Sequence, residues 1–129
     1  MNAWSHLPNA DLIDWVIESL KCNPELWAAA LNAVCDAILN AAWDAALDAT
    51  QDAIWEAALV ENTGTYWGSA WDSSTDAILA LIAYDDCRQY LDMSYEQLLT
   101  YAVLSERPQA VLLLPLKWIQ EHECMGTLA

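Results

Sequence analysis

From Trp27 onward the chain repeats every four residues, and that period constrains its fold more than any other feature. One register reads Trp27, Leu31, Cys35, Leu39, Trp43, Leu47, Gln51, Trp55 and Leu59. The next is acidic or amide: Asn32, Asp36, Asn40, Asp44, Asp48, Asp52 and Glu56. The third is alanine at every position from Ala29 to Ala57. The fourth is small or branched: Ala30, Val34, Ile38, Ala42, Ala46, Thr50, Ile54 and Ala58. Beyond Asn62-Thr63-Gly64 the same phase returns with Trp67, Trp71 and Leu79, accompanied by Asp72 and Asp76.

Most of these residues are strong helix formers, and neither proline nor glycine falls between Pro24 and Gly64. The pattern reads as a long helix over 24–60, either continuous or bent or broken along its length, a stop at 62–64, and a second long helix over 65–90. A short connection makes such helices antiparallel neighbours. Four residues overshoot the α-helical 3.6, so equivalent side chains drift by about 40° per repeat. Carboxylates on a continuous helix therefore emerge along a spiral.

The flanks carry ordinary helix punctuation. Asn9 is placed to cap a first helix with an apolar stripe of Leu12, Ile13, Val16, Ile17 and Leu20, opposite Asp11, Asp14, Glu18 and Lys21. Asn23 with Pro24 gives the next start signal. Ser94 followed by Gln97 is a capping-box signature for a helix over 95–104. Pro108 opens a last helix to about residue 123, kinked or split at Pro115, with Leu112, Leu113, Leu116 and Ile119 as central core. The expected fold is all-α: a helical bundle on a long antiparallel helix pair, with an N-terminal helix and short C-terminal helices. One domain spans 1–129, with the repeat over about 27–82.

Charge is the second constraint. Nineteen Asp/Glu stand against four Lys/Arg, a formal net charge of −15, and between Lys21 and Arg88 there are eleven acids and no base. Direct binding to nucleic acid or anionic lipid is disfavoured, because both repel such a chain. With 57% hydrophobic residues, the sequence is also too apolar for a disordered acidic tail. Asp44, Asp48, Asp52 and Glu56 lie about 6 Å of rise apart per step. Like charges at that spacing disfavour a helix by a few tenths of a kcal/mol per pair. No Lys or Arg sits four residues away to compensate, and a basic partner would supply the reason. Duplex DNA carries about one charge per 1.7 Å, so fifteen charges match roughly 25 Å of duplex. A globule of this length is about 35 Å across. The residues expected to bind such a partner are Asp36, Asp44, Asp48, Asp52, Glu56, Asp72, Asp76, Asp85 and Asp86.

Other constellations point to less. The eight tryptophans lack the basic neighbours of a base-stacking platform and read as core. Glu121, His122, Glu123 and Cys124 sit too close in sequence to face one direction on a helix, which argues against zinc. His6 has no Ser/His/Asp order or glycine-rich phosphate loop around it, so neither enzyme nor cofactor is expected. Cys22, Cys35, Cys87 and Cys124 form no CxxC pair, and residues 1–8 have no signal-peptide character. They read as reduced thiols of a cytoplasmic protein. No apolar run reaches the ~18 residues needed to span a bilayer.

The Ala-Ala-Trp-Asp unit at 41–44, the segment AILALIAYDDC at 77–87 and VLLLPLKWIQEHE at 111–123 together resemble a group of phage and prophage proteins with Ala/Trp/Asp tetrapeptide repeats. No function is assigned to that group, so the resemblance implies a phage context alone. By charge, small acidic phage proteins are similar to inhibitors of restriction or CRISPR systems. The resulting expectation is a DNA mimic in the host cytoplasm that occupies a basic nucleic-acid channel of a defence nuclease or its subunit. The alternative is a helical protein–protein interaction or virion-assembly module, with a homodimer as one form.

Overall fold

The computed structural model describes residues 3–32, 36–50, 52–62, 69–105 and 107–122; residues 31, 32, 36–41, 52, 61, 62 and 69 are described by backbone alone. These residues form nine helices and no strand. In chain order they are α1 (Ala10–Cys22), α2 (Pro24–Asn32), α3 (Asp36–Ala49), α4 (Asp52–Asn62), α5 (Ser69–Ala83), α6 (Cys87–Leu91), α7 (Tyr95–Leu104), α8 (Pro108–Leu112) and α9 (Leu114–His122). The all-α expectation holds. Among these helices none is long and apolar enough to cross a membrane.

The helix expected over 24–60 is not continuous: the repeat changes direction between α3 and α4. The clearest sign is a pair of rings. Trp43 and Trp55 meet edge to face with centroids 5.6 Å apart. On a continuous helix their twelve-residue separation would set them about 18 Å apart along the axis. The chain therefore turns a corner near Thr50, whose hydroxyl donates to the Ala46 carbonyl at 2.7 Å. Such back-bonding by threonine bends helices. An equivalent ring pair spans the α1–α2 corner at Asn23, where Trp15 and Trp27 lie 6.5 Å apart.

Splitting the repeat resolves the mismatch between four and 3.6. Each short helix accumulates a modest angular drift before the chain changes direction. One row can then stay inside. The small register is buried at Ala30, Ala42, Ala46, Ile54 and Ala58. In the large register Trp27 and Trp55 are buried, Trp43 and Leu59 are half-buried, and Leu47 is exposed. Alanine at the seam lets helix axes approach closely, and the tryptophans fill the flanks of that seam.

At the centre lies α5, packed against α1, α2, α3, α4, α8 and α9. Every residue from Ser73 to Ile82 is buried. Its three successive hydroxyls are accommodated by hydrogen bonds to carbonyls. Ser73 donates to Trp27 of α2 at 2.6 Å, Ser74 to Trp71 at 2.9 Å, and Thr75 to Trp71 at 3.0 Å. The first of these ties α5 to α2, and the Trp27 indole in turn donates to the Ser19 hydroxyl of α1 at 2.9 Å. The second long helix expected over 65–90 ends in the structure at Ala83, before the turn at Asp85 and Asp86.

Local signals outside the repeat are mostly realised. Leu12, Ile13, Val16, Ile17 and Leu20 of α1 are buried. Both bonds of the capping box form at α7: the Gln97 amide donates to Ser94 Oγ at 3.1 Å, and the Ser94 amide donates to Gln97 Oε1 at 3.0 Å. The C-terminal helix splits at Leu113, which puts Pro115 in the first turn of α9, where its missing N–H costs no helix bond. Leu112, Leu113, Leu116 and Ile119 are fully buried. Asn9 departs from its expected role as a side-chain cap. It is buried, and its amide donates to the Leu81 and Tyr84 carbonyls at 3.2 and 2.9 Å, fastening the start of α1 to the end of α5.

Candidate functional site

The repeat sets acid and alanine side by side, and on α3 both rows face outward. Asp44, Ala45, Asp48 and Ala49 are exposed on α3, while on α4 Ala53 and Glu56 are exposed and Ala57 is half-buried. Burial of Ala42 and Ala46 on the opposite side of α3 forces this orientation. Asp44 and Asp48 stand one turn apart on the same face, flanked by methyl groups rather than long side chains. Glu56 belongs to α4, beyond the corner, so the acids do not form the single spiral expected of one helix. Asp72 is exposed in the first turn of α5, where the helix dipole favours a negative charge.

The basic residues lie elsewhere. Lys21 ends α1, and Arg88 of α6 pairs with Asp11 of α1. That hydrogen-bonded guanidinium holds the Asp11 carboxyl below its usual range, against the smaller opposing effect of partial burial. Lys117 of α9 donates to the Leu91 carbonyl at 2.8 Å. Arg107 precedes α8, beside Tyr90 and Tyr101. Among the described residues, Arg88 with Asp11 is the ion pair that forms, and Asp44, Asp48 and Glu56 take part in none.

Three expected site residues are placed differently. Asp76 shares the phase of Asp72 but lies one turn further along α5, where surrounding helices bury it. It is not part of an outward acidic row. Asp86 is half-buried and turned inward. Its carboxylate accepts from Gln109 Nε2 at 3.1 Å, from Gln89 Nε2 at 3.0 Å and from the Tyr90 hydroxyl at 3.4 Å. It is a structural acceptor joining α6 to α8. Asp85 is exposed beside it, in the α5–α6 turn and off the repeat phase. The side chains of Asp36 and Asp52 lie outside those described. The outward set on the repeat phase is thus Asp44, Asp48, Glu56 and Asp72.

The Asp86 cluster shifts its neighbours. Burial, then the negative charge of Asp86 and the Tyr101 ring beside it, push the Tyr90 hydroxyl up to about 12. The Tyr90 and Tyr101 rings lie 5.7 Å apart. Burial also raises the Cys87 thiol far above its ordinary value, and its sulfur donates to the Ala80 and Tyr84 carbonyls. Such a thiol is a poor nucleophile. Cys22 is exposed and free; Cys35 and Cys124 lie outside the described residues.

Residues that resembled other sites are engaged locally. Glu121 accepts from the Tyr95 amide at 2.7 Å, and the His122 ring stacks on Trp118 at 3.8 Å, with Nδ1 2.8 Å from the Trp118 carbonyl. Among the described residues no three His, Cys, Asp or Glu converge as a metal cluster requires. Trp4, Trp27 and Trp55 are buried and Trp15, Trp43, Trp71 and Trp118 half-buried, while Trp67 lies outside the described residues. The chain matches no protein-family model, no curated protein and no solved structure.

One feature that sequence reasoning passed over is the outer face of α7. Val103 is 58% and Leu104 81% exposed, high values for large apolar side chains. The helical wheel contains the signal: Leu98 and Ala102 define the inner side, which leaves positions 103 and 104 outside.

Proposed function

We propose that this protein is an acidic DNA mimic that occupies a Lys/Arg-lined nucleic-acid channel, in the manner of a phage-encoded inhibitor of a host restriction or CRISPR nuclease acting in the host cytoplasm. The observation that carries this reading is the outward set Asp44, Asp48 and Glu56, exposed beside small alanines and with no ion pair to a described base. Small neighbours let a flat basic surface reach the carboxylates. Their unpaired state leaves all of their charge for a partner, so encounter would be fast and salt-sensitive. Buried Asp76 and inward-turned Asp86 form no part of this surface. On this reading the protein is not an enzyme and needs no cofactor. The phage context rests on the resemblance of the sequence alone.

The test is capture of proteins from a bacterial lysate, with the bound species identified and then competed with duplex DNA. Basic nucleic-acid-binding proteins should be recovered, released by DNA and by raised salt, and lost with Asp44→Asn, Asp48→Asn and Glu56→Gln combined. Complexes that ignore DNA and survive the triple substitution would sink the reading. A second reading, an apolar docking or virion-assembly module, draws support from exposed Val103 and Leu104. Its complexes would persist as ionic strength rises.

A further inference from the structure

We infer that the corner between α3 and α4 is a hinge, and that its opening into one continuous helix lets two copies of this chain exchange residues 1–49. The corner differs from others in the fold by what holds it. The turns before α2, α8 and α9 are each followed by a proline in the first turn of the next helix: Pro24, Pro108 and Pro115. Proline there cannot continue the preceding helix. Between α3 and α4 there is neither proline nor glycine, and the repeat crosses the corner in unbroken phase through Ala45, Ala49, Ala53 and Ala57. The same residues can therefore form one helix over 36–62.

Local bonds at Thr50 and one ring pair oppose that helix. The Thr50 amide donates to the Leu47 carbonyl at 3.2 Å, one residue short of a regular α-helical bond. The Thr50 hydroxyl donates to the Ala46 carbonyl at 2.7 Å, the acceptor that a regular helix assigns to that amide. Across the corner stands the Trp43–Trp55 contact. Straightening would satisfy the helix ends, because the carbonyls that finish α3 would meet the amides that open α4. It would also part the two rings and strip Ala42, Ala46, Ile54 and Ala58 of packing. A lone chain cannot stay open at that loss. A second opened copy restores it.

The contacts make the exchange complete. Before the corner, α1 packs on α5, α2 on α5 and α9, and α3 on α5 and α8. Each of these joins a segment ahead of the hinge to one beyond it, so each is remade between two copies, as is Trp43 against Trp55. Only the corner itself changes, which is the condition for swapping identical elements. Screening relieves the repulsion between two strongly acidic chains, so salt favours the exchange. No basic partner is involved, which separates this association from binding through the acids of α3 and α4.

Refolding of the full chain from denaturant at low and high protein concentration, followed by size-exclusion chromatography with light scattering, tests the proposal. The expected result is a dimer whose share rises with refolding concentration and with salt. It interconverts with monomer only through unfolding, so each separated peak should keep its size on a second run. Both peaks should give the same near-ultraviolet circular dichroism. Thr50→Ala removes the hydroxyl that bends the helix and should strengthen dimerisation about tenfold or more. Asp52→Pro sets a proline at the start of α4, as Pro24 does in α2, and should abolish the dimer while the monomer keeps its spectrum. Losing that negative charge would by itself favour association, so the loss of dimer reports the backbone. Absence of dimer from both wild type and Thr50→Ala overturns the proposal, as does a dimer equally abundant in Asp52→Pro or peaks that re-equilibrate on the second run. If the proline variant loses its spectrum, Thr50→Ala decides alone, and unchanged dimerisation overturns the hinge.

Discussion

The described carboxylates of α3 and α4 and a set on α1, α9 and the turn before α6 meet opposite fates. Asp44, Asp48 and Glu56 stand in solvent with no described base beside them. Asp86 gathers three side-chain donors, Glu121 takes a backbone amide of α7, and Asp11 pairs with Arg88. The difference follows from what each helix has opposite it. α3 buries alanines, which offer no donor and point the acids away. The turn before α6 faces the side chain of Gln109, itself 5% exposed, which needs an acceptor in return. Residue type alone therefore does not assign a carboxylate to surface or scaffold here; the polarity of the facing element does.

Breaking the inner set should give the largest effect. Asp86→Ala leaves Gln109 buried without its acceptor and is expected to cost about 2–3 kcal/mol in thermal or urea denaturation. An unchanged midpoint would remove Asp86 from the scaffold. Alkaline titration sharpens the same contrast. Tyr90 is held neutral to about pH 12, above its unfolded value near 10, so its contribution to stability is whole below pH 10 and fades as pH rises toward 12. Tyr90→Phe should flatten that part of the stability profile, and an unaltered slope would argue against the assignment. The smallest effect belongs to the outer set. Asp44→Asn with Asp48→Asn should leave stability unchanged or raise it by a few tenths of a kcal/mol, because a like-charge pair at i, i+4 is removed. A marked loss would mean that these acids have structural partners after all.

Where the sequence holds a specific local signal, the fold could be read from it. The Ser94–Gln97 pair, Pro24, Pro108 and the apolar stripe of α1 each act within a turn or two, and each appears in the structure as expected. The corner near Thr50 could not be read so. Its surroundings are Ala, Asp, Trp and Leu, the same set as in the helices on either side, with no proline or glycine among them. What selects the corner is tertiary: the Trp43–Trp55 contact and the packing of α3 and α4 on α5. The local hint is Thr50 with Gln51, polar residues in two registers that are otherwise apolar around them. The candidate site was legible to the same degree. Exposure of Asp44, Asp48, Glu56 and Asp72 agrees with the four-residue phase, whereas Asp76 shares that phase and is buried. Phase describes angle around one helix and says nothing about what stands alongside.

The division of the repeat into short helices also limits how such a protein can change length. Duplicating one tetrapeptide is the simplest event a repetitive gene can undergo. Inserted within α3, it would rotate everything downstream by about 40° and carry the corner some 6 Å further out. Ala46 would leave its seam and the two ring partners would part. An eleven-residue insertion, close to three whole turns, would restore the angle but not the position. Geometry therefore holds the unit number of this array fixed, whatever its outward rows carry.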